Sequence, residues 1–405
     1  MATTRDEIRV ERVRTELVHN ILQFWMSRVV DREHGGFYGL IDENGHVDGQ
    51  SPRASVVNTR ILWTFSAATR VLGEQYRSTA DRAYDYILKK FWDMEQGGLF
   101  WMLDWQGNPI SERKQTYGQA FGIYAFAEYF RASGEPAAAE TAKRLFRLLE
   151  EHCHDRDFRG YVEALGRQWQ PLADMRLSEK DLNCPKSMNT HLHVMEAYTG
   201  LLRLWRDDLL EARQAELLDI MLDRIVDSGS GHLRLFFDQQ WNSVSPHVSY
   251  GHDIEASWLL VEAAEVLGDA KRMERAREHA MKLATAVLQE GVDRDGSVFY
   301  EADGSGALVD SNKHWWVQAE AVVGFTNAYQ ISGDQRFRTA ASRVWDYIEA
   351  KVVDRVHGEW HSRLSRDGVP LTAENDPETY LVGPWKCPYH SARACLEMIE
   401  RLRPG

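Results

Sequence analysis

The sequence predicts an all-α ring of twelve helices, an (α/α)6 barrel in which six inner helices stand within six outer ones and short β-hairpins lie between the helix pairs. Three observations carry this prediction: a motif that recurs six times, two helical segments between successive copies, and terminal helices as apolar as the internal ones. The last observation favours a closed ring, because an open solenoid exposes its ends and needs polar capping repeats.

The repeated motif is an Asp, a few polar residues, a Gly and then alternating apolar residues. Its copies are DREHGGFYGL (31), DMEQGGLFWML (93), DRDFRGYVEAL (155), DSGSGHLRLFF (227), DRDGSVFYEA (293) and DRVHGEWHSRL (354). The matched glycines are Gly36, Gly98, Gly160, Gly231, Gly296 and Gly358, with spacings of 62, 62, 71, 65 and 62 residues. Asp and Gly favour a turn and the alternating apolar residues favour a strand, so each copy predicts a short hairpin.

Each unit continues with two segments that carry apolar residues at i, i+3, i+4 and i+7, which is typical of amphipathic helices. In the fourth unit these are EASWLLVEAAEVLGD and then AKRMERAREHAMKLATAVL. The first segment of a pair is richer in apolar and small residues, and we expect it to be the inner helix. A helix over about 5 to 28 is then the first outer helix, and one over about 388 to 402 is the last inner helix.

The chain has no break in composition and no Pro/Ser-rich linker, so we expect a single catalytic domain over residues 1–405. The longer spacing between Gly160 and Gly231 places an insertion near 165 to 186. A segment of this kind is expected to form a loop over the mouth of the ring.

Composition excludes several classes of partner. With 61 acidic and 48 basic residues the net charge is -13, which repels nucleic acid and anionic membranes. The charged N-terminal segment lacks the apolar core of a signal peptide, and no run of 18 apolar residues occurs. We therefore expect a cytoplasmic protein, a monomer or weak homo-oligomer, that binds neither nucleic acid nor membrane. Four cysteines without CxxC spacing indicate free thiols.

Polar and aromatic residues cluster where the inner helices begin. All inner helices of such a ring run in the same sense, so their N-termini meet at one mouth. The residues predicted there are Asn58, Arg60, Tyr117, Gln119, Asn189, His191, His193, His252, Asp253, Glu255, His314, Trp315, Trp316, Glu320, Trp385, Tyr389 and His390. One histidine at a helix start is ordinarily a capping or surface group, but the convergence of several on one mouth indicates a functional pocket.

The stretch NTHLH places two histidines two residues apart on one inner helix. His191 and His193 are about 200° apart around a helix and cannot both bind one metal ion. Asn189 and His193 share a face, so we place them at the pocket and expect His191 to face a neighbouring helix. The sequence also lacks HExxH, EF-hand, Cys-cluster and dinucleotide motifs, which predicts no metal and no cofactor.

At these residues the chain resembles a known family over nearly its whole length. The matching stretches are RILWTF (60), SMNTHLHVMEAY (187), GHDIEASWLL (251), HWWVQAE (314) and WKCPYHSARACLEM (385). They are similar to the N-acylglucosamine 2-epimerase superfamily, and within it to the cellobiose 2-epimerase family. The resemblance implies an (α/α)6 barrel and an isomerase of carbohydrate metabolism that acts without a cofactor. Its reaction would be epimerisation at C2 of the reducing-end glucose of β-1,4-linked disaccharides, cellobiose to glucosyl-mannose and lactose to epilactose.

The resemblance also implies roles for individual residues. His252 and His390 would be the two acid/base catalysts, and His193 would assist ring opening or hold the open sugar. Contacts to the reacting sugar would come from Arg60, Tyr117, Asn189, Glu255 and Trp316, and contacts to the second sugar from Asp181 and Trp385. Inverting C2 through an enediolate requires proton removal on one face and proton return on the other. Two histidines suit this task, because an imidazole pKa of about 6.5 allows each to act as acid or base.

Three alternatives remain open from the sequence. A mannose or N-acylglucosamine 2-epimerase, or an aldose–ketose isomerase, would keep the fold and act on a monosaccharide. An inverting glycoside hydrolase on the same ring would use a carboxyl pair, for which Glu255 and Glu320 are candidates. A non-catalytic sugar-binding protein would need only stacking tryptophans. The last two leave the clustered histidines without a role.

Overall fold

The structure, a computed structural model, describes residues 8–402, and within them twelve helices alternate between an outer and an inner position. The outer helices are α1 (10–27), α3 (77–91), α5 (136–153), α7 (208–225), α9 (270–291) and α11 (335–352). The inner helices are α2 (Ser55–Leu72), α4 (Thr116–Ser133), α6 (Met188–Leu202), α8 (Tyr250–Leu267), α10 (Trp315–Ser332) and α12 (Tyr389–Arg401). A 3₁₀ turn, Glu74–Tyr76, precedes α3. The start predicted for α1, near residue 5, lies outside the described residues.

Every outer helix contains a π-helical turn. In α1 it is internal, at Leu17–Leu22, and in the other five it forms the C-terminal end, at Ile87–Phe91, Leu149–Cys153, Met221–Ile225, Val287–Gly291 and Ile348–Val352. The repeated Asp–Gly turn follows at once. All six matched glycines have φ between 62° and 97°, a conformation that only glycine adopts without strain. This explains why the motif has a glycine at that position in every unit.

The hairpins contribute seventeen short strands within the described part of the chain. They are β1 (Leu40–Asp42), β2 (Val47–Asp48), β3 (Arg53–Ala54), β4 (Met102–Leu103), β5 (Pro109–Ser111), β6 (Lys114–Gln115), β7 (Ala164–Leu165), β8 (Lys186–Ser187), β9 (Val226–Asp227), β10 (His232–Leu233), β11 (Phe236–Phe237), β12 (Val248–Ser249), β13 (Glu301–Ala302), β14 (Leu308–Asp310), β15 (Lys313–His314), β16 (Arg363–Leu364) and β17 (Tyr380–Val382). Each strand that leads into α2, α4, α6, α8 or α10 pairs antiparallel with a strand of the next unit. The hairpins therefore link adjacent units around the mouth.

The ring is closed both by helix packing and by strand pairing at the mouth. Each inner helix packs against the next, α12 packs against α2, and α1 packs against α12. At the mouth β17 pairs with β1, which places Ile41 opposite Val382. The predicted (α/α)6 barrel with hairpins between the helix pairs is therefore confirmed.

Buried ion pairs fix the hairpin turns to the starts of the inner helices. Lys114, Lys186 and Lys313 each lie two residues before an inner helix, with fully buried side chains. Their Nζ atoms lie 3.0, 2.9 and 2.8 Å from the carboxylates of the repeated turn residues, Asp93, Asp155 and Asp293 respectively. Removing one partner of such a pair leaves an uncompensated buried charge, which costs about 3–5 kcal/mol. The turns thus hold the mouth of the ring in a defined geometry.

Candidate active site

A cavity of about 320 Å³ opens at the N-terminal ends of the inner helices, a size within the range of small-molecule sites. The cavity is lined by all ten residues for which the resemblance implies a role: Arg60, Tyr117, Asp181, Asn189, His193, His252, Glu255, Trp316, Trp385 and His390. The predicted insertion supplies Leu177, Ser178, Lys180 and Asp181 to the wall, so it does cover the mouth. The lining residues that sequence reasoning did not single out include Tyr300, Glu301, Asp310, Arg363, Glu378 and Tyr380.

Three histidines of the cavity are each held through the ring nitrogen Nδ1. The Nδ1 atom of His193 lies 2.8 Å from Glu196, that of His252 lies 2.8 Å from the Ser249 hydroxyl, and that of His390 lies 2.7 Å from Glu320. In each ring Nε2 has no hydrogen-bond partner within residues 8–402 and is left to the cavity. A carboxylate accepts only from a protonated Nδ1, so the Nε2 atoms of His193 and His390 carry a free lone pair.

Burial keeps these histidines neutral. It lowers the pKa of His252 to about 3, with a further contribution from the nearby His193. It also lowers the pKa of His390 well below its usual value, together with the positive charges of Arg60 and Arg393. The pKa of His193 is lowered by burial as well. A neutral imidazole accepts a proton, so all three rings are available as bases at neutral pH.

Trp316 contacts two of the three histidines. Its ring centroid lies 4.8 Å from that of His252 and 5.5 Å from that of His390. These two histidines come from α8 and α12, the neighbours of α10, which carries Trp316. The arrangement places two bases beside one flat aromatic surface, on which a sugar ring can stack.

Arg60 supplies a positive charge to the cavity. Its guanidinium lies 4.2 Å from the ring centroid of Phe121 and 4.9 Å from that of Tyr389, and it donates a hydrogen bond of 2.7 Å to the Tyr117 hydroxyl. In the part of the chain that the structure describes it forms no ion pair with a carboxylate. Its charge is therefore available to an anion that forms in the cavity.

Two polar atoms at the cavity lack partners. Oε2 of Glu255 and Oδ1 of Asn189 are buried without a hydrogen bond, whereas Oε1 of Glu255 accepts from Arg393 at 2.5 Å. Burial, reinforced by the charge of Glu320, raises the pKa of Glu255 to about 8. A protonated Glu255 can donate a hydrogen bond, so the side chains of Glu255 and Asn189, which both line the cavity, retain a donor and an acceptor that no described residue uses.

His191 does not reach the cavity. Its Nε2 accepts from the backbone N–H of Tyr161 at 2.9 Å, and its Nδ1 donates to the Ser187 carbonyl at 2.7 Å. The expectation that it faces a neighbouring helix is wrong, because the repeated turn of its own unit and Trp241 cover that side. The corresponding side chains of other units make the same type of contact to a hairpin backbone N–H, namely Gln119 to Leu99, Asp253 to Leu233 and Gln318 to Val298.

His314 lines the cavity but differs from the other three histidines. Its ring stacks on Tyr300 with centroids 3.9 Å apart, and its Nε2 lies 3.3 Å from Asp310. Both its face and this nitrogen are engaged. We therefore assign it to the wall of the cavity.

Sequence reasoning missed Ser249, Glu196 and Arg393; it placed Glu320 at the mouth of the ring and gave it no role other than that of a hydrolase carboxyl. A signal for two of them was present, because Glu196 follows His193 by three residues and Arg393 follows His390 by three. Residues at i and i+3 share a helix face.

One cluster has the composition of a cation site. Glu255, Glu320 and His390 offer ligand atoms within 4.8 Å of one another. The guanidinium of Arg393 already lies 2.5 Å from Glu255 and 2.6 Å from Glu320, so both carboxylates have a cationic partner. That the protein uses no metal and no cofactor stays a prediction.

Across residues 8–402 the helices are too short or too polar for any of them to cross a membrane.

Comparison with known proteins agrees with this architecture. The family model for N-acylglucosamine 2-epimerase (GlcNAc 2-epimerase) matches residues 36–383. The cellobiose 2-epimerase of Bacteroides fragilis is 45% identical, covering 97% of this chain and 99% of the relative, and that of Ruminococcus albus is 40% identical, covering 97% and 98%. The solved structure of cellobiose 2-epimerase from Bacillus thermoamylovorans B4167 superposes with a TM-score of 0.92 at 41% identity, covering 97% of this chain and 99% of that one. The chain therefore belongs to the N-acylglucosamine 2-epimerase family.

Proposed function

We propose that the protein is an isomerase that epimerises C2 of the reducing-end glucose of β-1,4-linked disaccharides, converting cellobiose to glucosyl-mannose and lactose to epilactose. One observation carries the proposal: His252 and His390, both neutral, leave Nε2 unpartnered in one cavity beside Trp316. The likeness to cellobiose 2-epimerases at 40% identity or more, over nearly full length, supports a disaccharide as substrate.

The reaction begins when the pyranose ring opens and exposes the C1 aldehyde. One histidine removes the C2 proton through Nε2; the electron pair of the C–H bond forms the C1–C2 double bond, and the π pair of the C1 carbonyl moves onto its oxygen to give an enediolate. Rotation about C2–C3 presents the opposite face of the planar intermediate. The second histidine, which has taken up a proton from water before this step, returns it to C2, and the first histidine then releases the proton that it removed to water. His193 assists ring opening or holds the open sugar. No redox equivalent is consumed, so the two bases suffice.

The remaining cavity residues stabilise and place the sugar. Arg60 and the converging helix N-termini stabilise the negative charge that develops on the enediolate oxygen. Contacts to the reacting sugar come from Arg60, Tyr117, Asn189, Glu255 and Trp316. Asp181, in the loop over the mouth, and Trp385 contact the second sugar.

A glycoside hydrolase fits the site less well. It would need two accessible carboxyl groups about 6.5–9.5 Å apart for inversion. Glu255 lines the cavity, but the side chain of Glu320 is 1% exposed and accepts from Arg393 at 2.6 Å and from the Trp258 indole at 3.0 Å. A monosaccharide epimerase or isomerase remains the second candidate, because its chemistry would use the same bases.

Proton NMR of cellobiose in D2O tests the proposal directly. With the wild-type protein we expect new mannose-type anomeric signals and deuterium at C2, and with His390→Ala we expect no mannose-type signals. Release of free glucose would instead indicate a hydrolase. An unchanged spectrum with cellobiose, followed by conversion of mannose, would move the substrate to a monosaccharide.

We also propose that residues 1–405 form one catalytic domain, cytoplasmic and monomeric or weakly oligomeric, that binds neither nucleic acid nor membrane. The closure of the ring by α12 and β17 against α1, α2 and β1 supports a single domain. The net charge of -13 supports the absence of a nucleic-acid partner.

A further inference from the structure

A buried arginine lies beneath the floor of the cavity. Arg393 follows His390 by one turn of α12, and its side chain is 1% exposed. Its Nη2 lies 2.5 Å from Glu255 Oε1 and 2.6 Å from Glu320 Oε1, and its Nη1 donates to Glu196 Oε1. One guanidinium thus ties α12 to carboxylates of α6, α8 and α10.

Two of these carboxylates hold histidines of the cavity. The second oxygen of Glu196 lies 2.8 Å from Nδ1 of His193, and the oxygen of Glu320 that Arg393 contacts also lies 2.7 Å from Nδ1 of His390. Two arginine–carboxylate–imidazole chains therefore start from the same guanidinium. In each chain the carboxylate selects the tautomer with the proton on Nδ1 and the lone pair on Nε2.

A second arginine, Arg70, also joins inner helices through ion pairs but has no contact, within the described part of the chain, with a carboxylate that holds a histidine. Arg70, at the C-terminal end of α2, forms ion pairs at 2.7 Å with Glu128 of α4 and at 3.0 Å with Glu400 of α12. It joins inner helices as Arg393 does, but its carboxylate partners hold no histidine. The attachment to two imidazoles is what distinguishes Arg393.

We propose that Arg393 is a positioning residue for the epimerisation: it fixes Glu196 and Glu320 so that they hold His193 and His390 with an unprotonated Nε2 directed at the sugar. This proposal rests on the proposed function of the cavity. A carboxylate that orients an imidazole has large effects on rate when the tautomer changes. Lysine cannot replace arginine here, because one ammonium lacks the planar fork that reaches three carboxylates at once.

The test compares Arg393→Lys with Arg70→Lys, the same substitution at the two helix-joining arginines. Imidazole ¹⁵N signals of ¹⁵N-histidine-labelled protein report the tautomer of each ring, and His193→Gln and His390→Gln assign the signals. In Arg393→Lys we expect the Nδ1–H signatures of both histidines to be lost or mixed, and kcat on cellobiose to fall by about 10²-fold with KM within about threefold. In Arg70→Lys we expect neither change.

Unchanged tautomer signals, or a kcat within about threefold of wild type, in a folded Arg393→Lys protein would overturn the proposal. If that variant does not fold, Glu196→Gln and Glu320→Gln each alter one chain only. Glu196→Gln should change the tautomer signal of His193 alone, and Glu320→Gln should change that of His390 alone. If neither variant changes a tautomer signal, the proposal is also overturned. A wild-type protein that does not epimerise cellobiose would contradict the proposed function, whereas the tautomer signals would still decide the positioning.

Discussion

The two sides of helix α6 carry a histidine each, and the two rings have different surroundings. On the side of the hairpin, His191 uses both ring nitrogens in hydrogen bonds, to Tyr161 and to Ser187. On the side of the cavity, His193 uses only Nδ1, which contacts Glu196. The difference teaches that a histidine is available for proton transfer only where the fold leaves its second nitrogen without a partner.

The same contrast runs around the ring. On the hairpin side, Gln119, Asp253 and Gln318 make the contact that His191 makes, so different residue types do one structural task. On the cavity side the units differ: three inner helices contribute a histidine, and the other three contribute Arg60, Tyr117 and Trp316. The repeated scaffold is thus separate from the chemistry that it presents.

Removing one cavity base should have the largest effect. We expect His252→Ala and His390→Ala each to lower the rate of epimerisation by about 10²–10⁴-fold, because each removes one acid/base group. In D2O each variant should still exchange the C2 proton of one epimer and not of the other, since one base remains. Mass spectrometry of cellobiose and of glucosyl-mannose after separate incubations measures this. Exchange into both epimers by one variant would contradict a two-base reaction.

On the hairpin side the same residue type should matter for stability alone. His191→Ala leaves the Tyr161 N–H buried and unpaired, and we expect it to lower the free energy of unfolding by about 1–3 kcal/mol. His191→Gln should stay within about 1 kcal/mol of wild type, because Gln119 and Gln318 already make this contact in their units. Urea unfolding measures both variants, and kcat should stay within about threefold. A large loss of kcat in the folded His191→Gln protein would remove the distinction between the two sides.

The buried carboxyl of the cavity should make stability depend on pH. The pKa of Glu255 rises from 4.5 to about 8 through burial and the charge of Glu320, so between these pH values the unfolded chain has released a proton that the folded chain retains. The free energy of unfolding should therefore fall as pH rises through this window. Glu255→Gln should reduce the fall by about 1 kcal/mol between pH 6.5 and 7.5. The exposed Glu151→Gln is the control for urea unfolding at both pH values, and equal slopes for the two variants would contradict the protonated state.

Buried histidines give the opposite slope in acid. The pKa of His252 is lowered from 6.5 to about 3. Between these pH values the imidazole is protonated in the unfolded chain and neutral in the folded chain. Stability contributed by this neutral ring is therefore lost as pH falls from about 6.5 towards 3.

The contact across the cavity mouth should have the smallest effect. Lys180 of the insertion lies 2.6 Å from Glu378 in the loop before β17, but its side chain is 65% exposed. Exposed ion pairs contribute about 0–1 kcal/mol. We expect Lys180→Met to change KM for cellobiose by less than about threefold and to leave kcat unchanged in initial-rate measurements. A tenfold loss of kcat would contradict this expectation, because it would show that the contact at the mouth of the cavity also affects the reaction step.

Much of this fold could be predicted from the sequence, because its signals are local and repeated. Six glycines at nearly constant spacing mark turns that require positive φ, and the helical periodicity between them gives the inner and outer members. The π-helical turns were not predictable in this way, since the α-helical pattern continues into them. The ring closure followed only from the apolar character of the terminal helices.

For the site, the sequence predicted the residues that line the cavity but not the residues that hold them in place. Residues at the helix starts were found because the ring brings all N-termini together, and the 200° separation of His191 and His193 correctly placed one of them away from the cavity. The contacts of Arg393 join residues up to 197 positions apart, and no local pattern encodes them. Nor does the sequence state which nitrogen of a ring is engaged, because that depends on partners from other units.

The closure of the ring has a consequence for biosynthesis. Trp385 and His390 follow every other cavity residue in the chain, so they are synthesised after the rest of the site, and strand β1 finds its partner, β17, only shortly before them. Until then the apolar faces of α1 and α2 that α12 covers remain open to water and to other chains. The growing chain thus remains inactive and prone to self-association until the segment from β17 to α12 is made, and the same segment then both covers the apolar faces and completes the cavity.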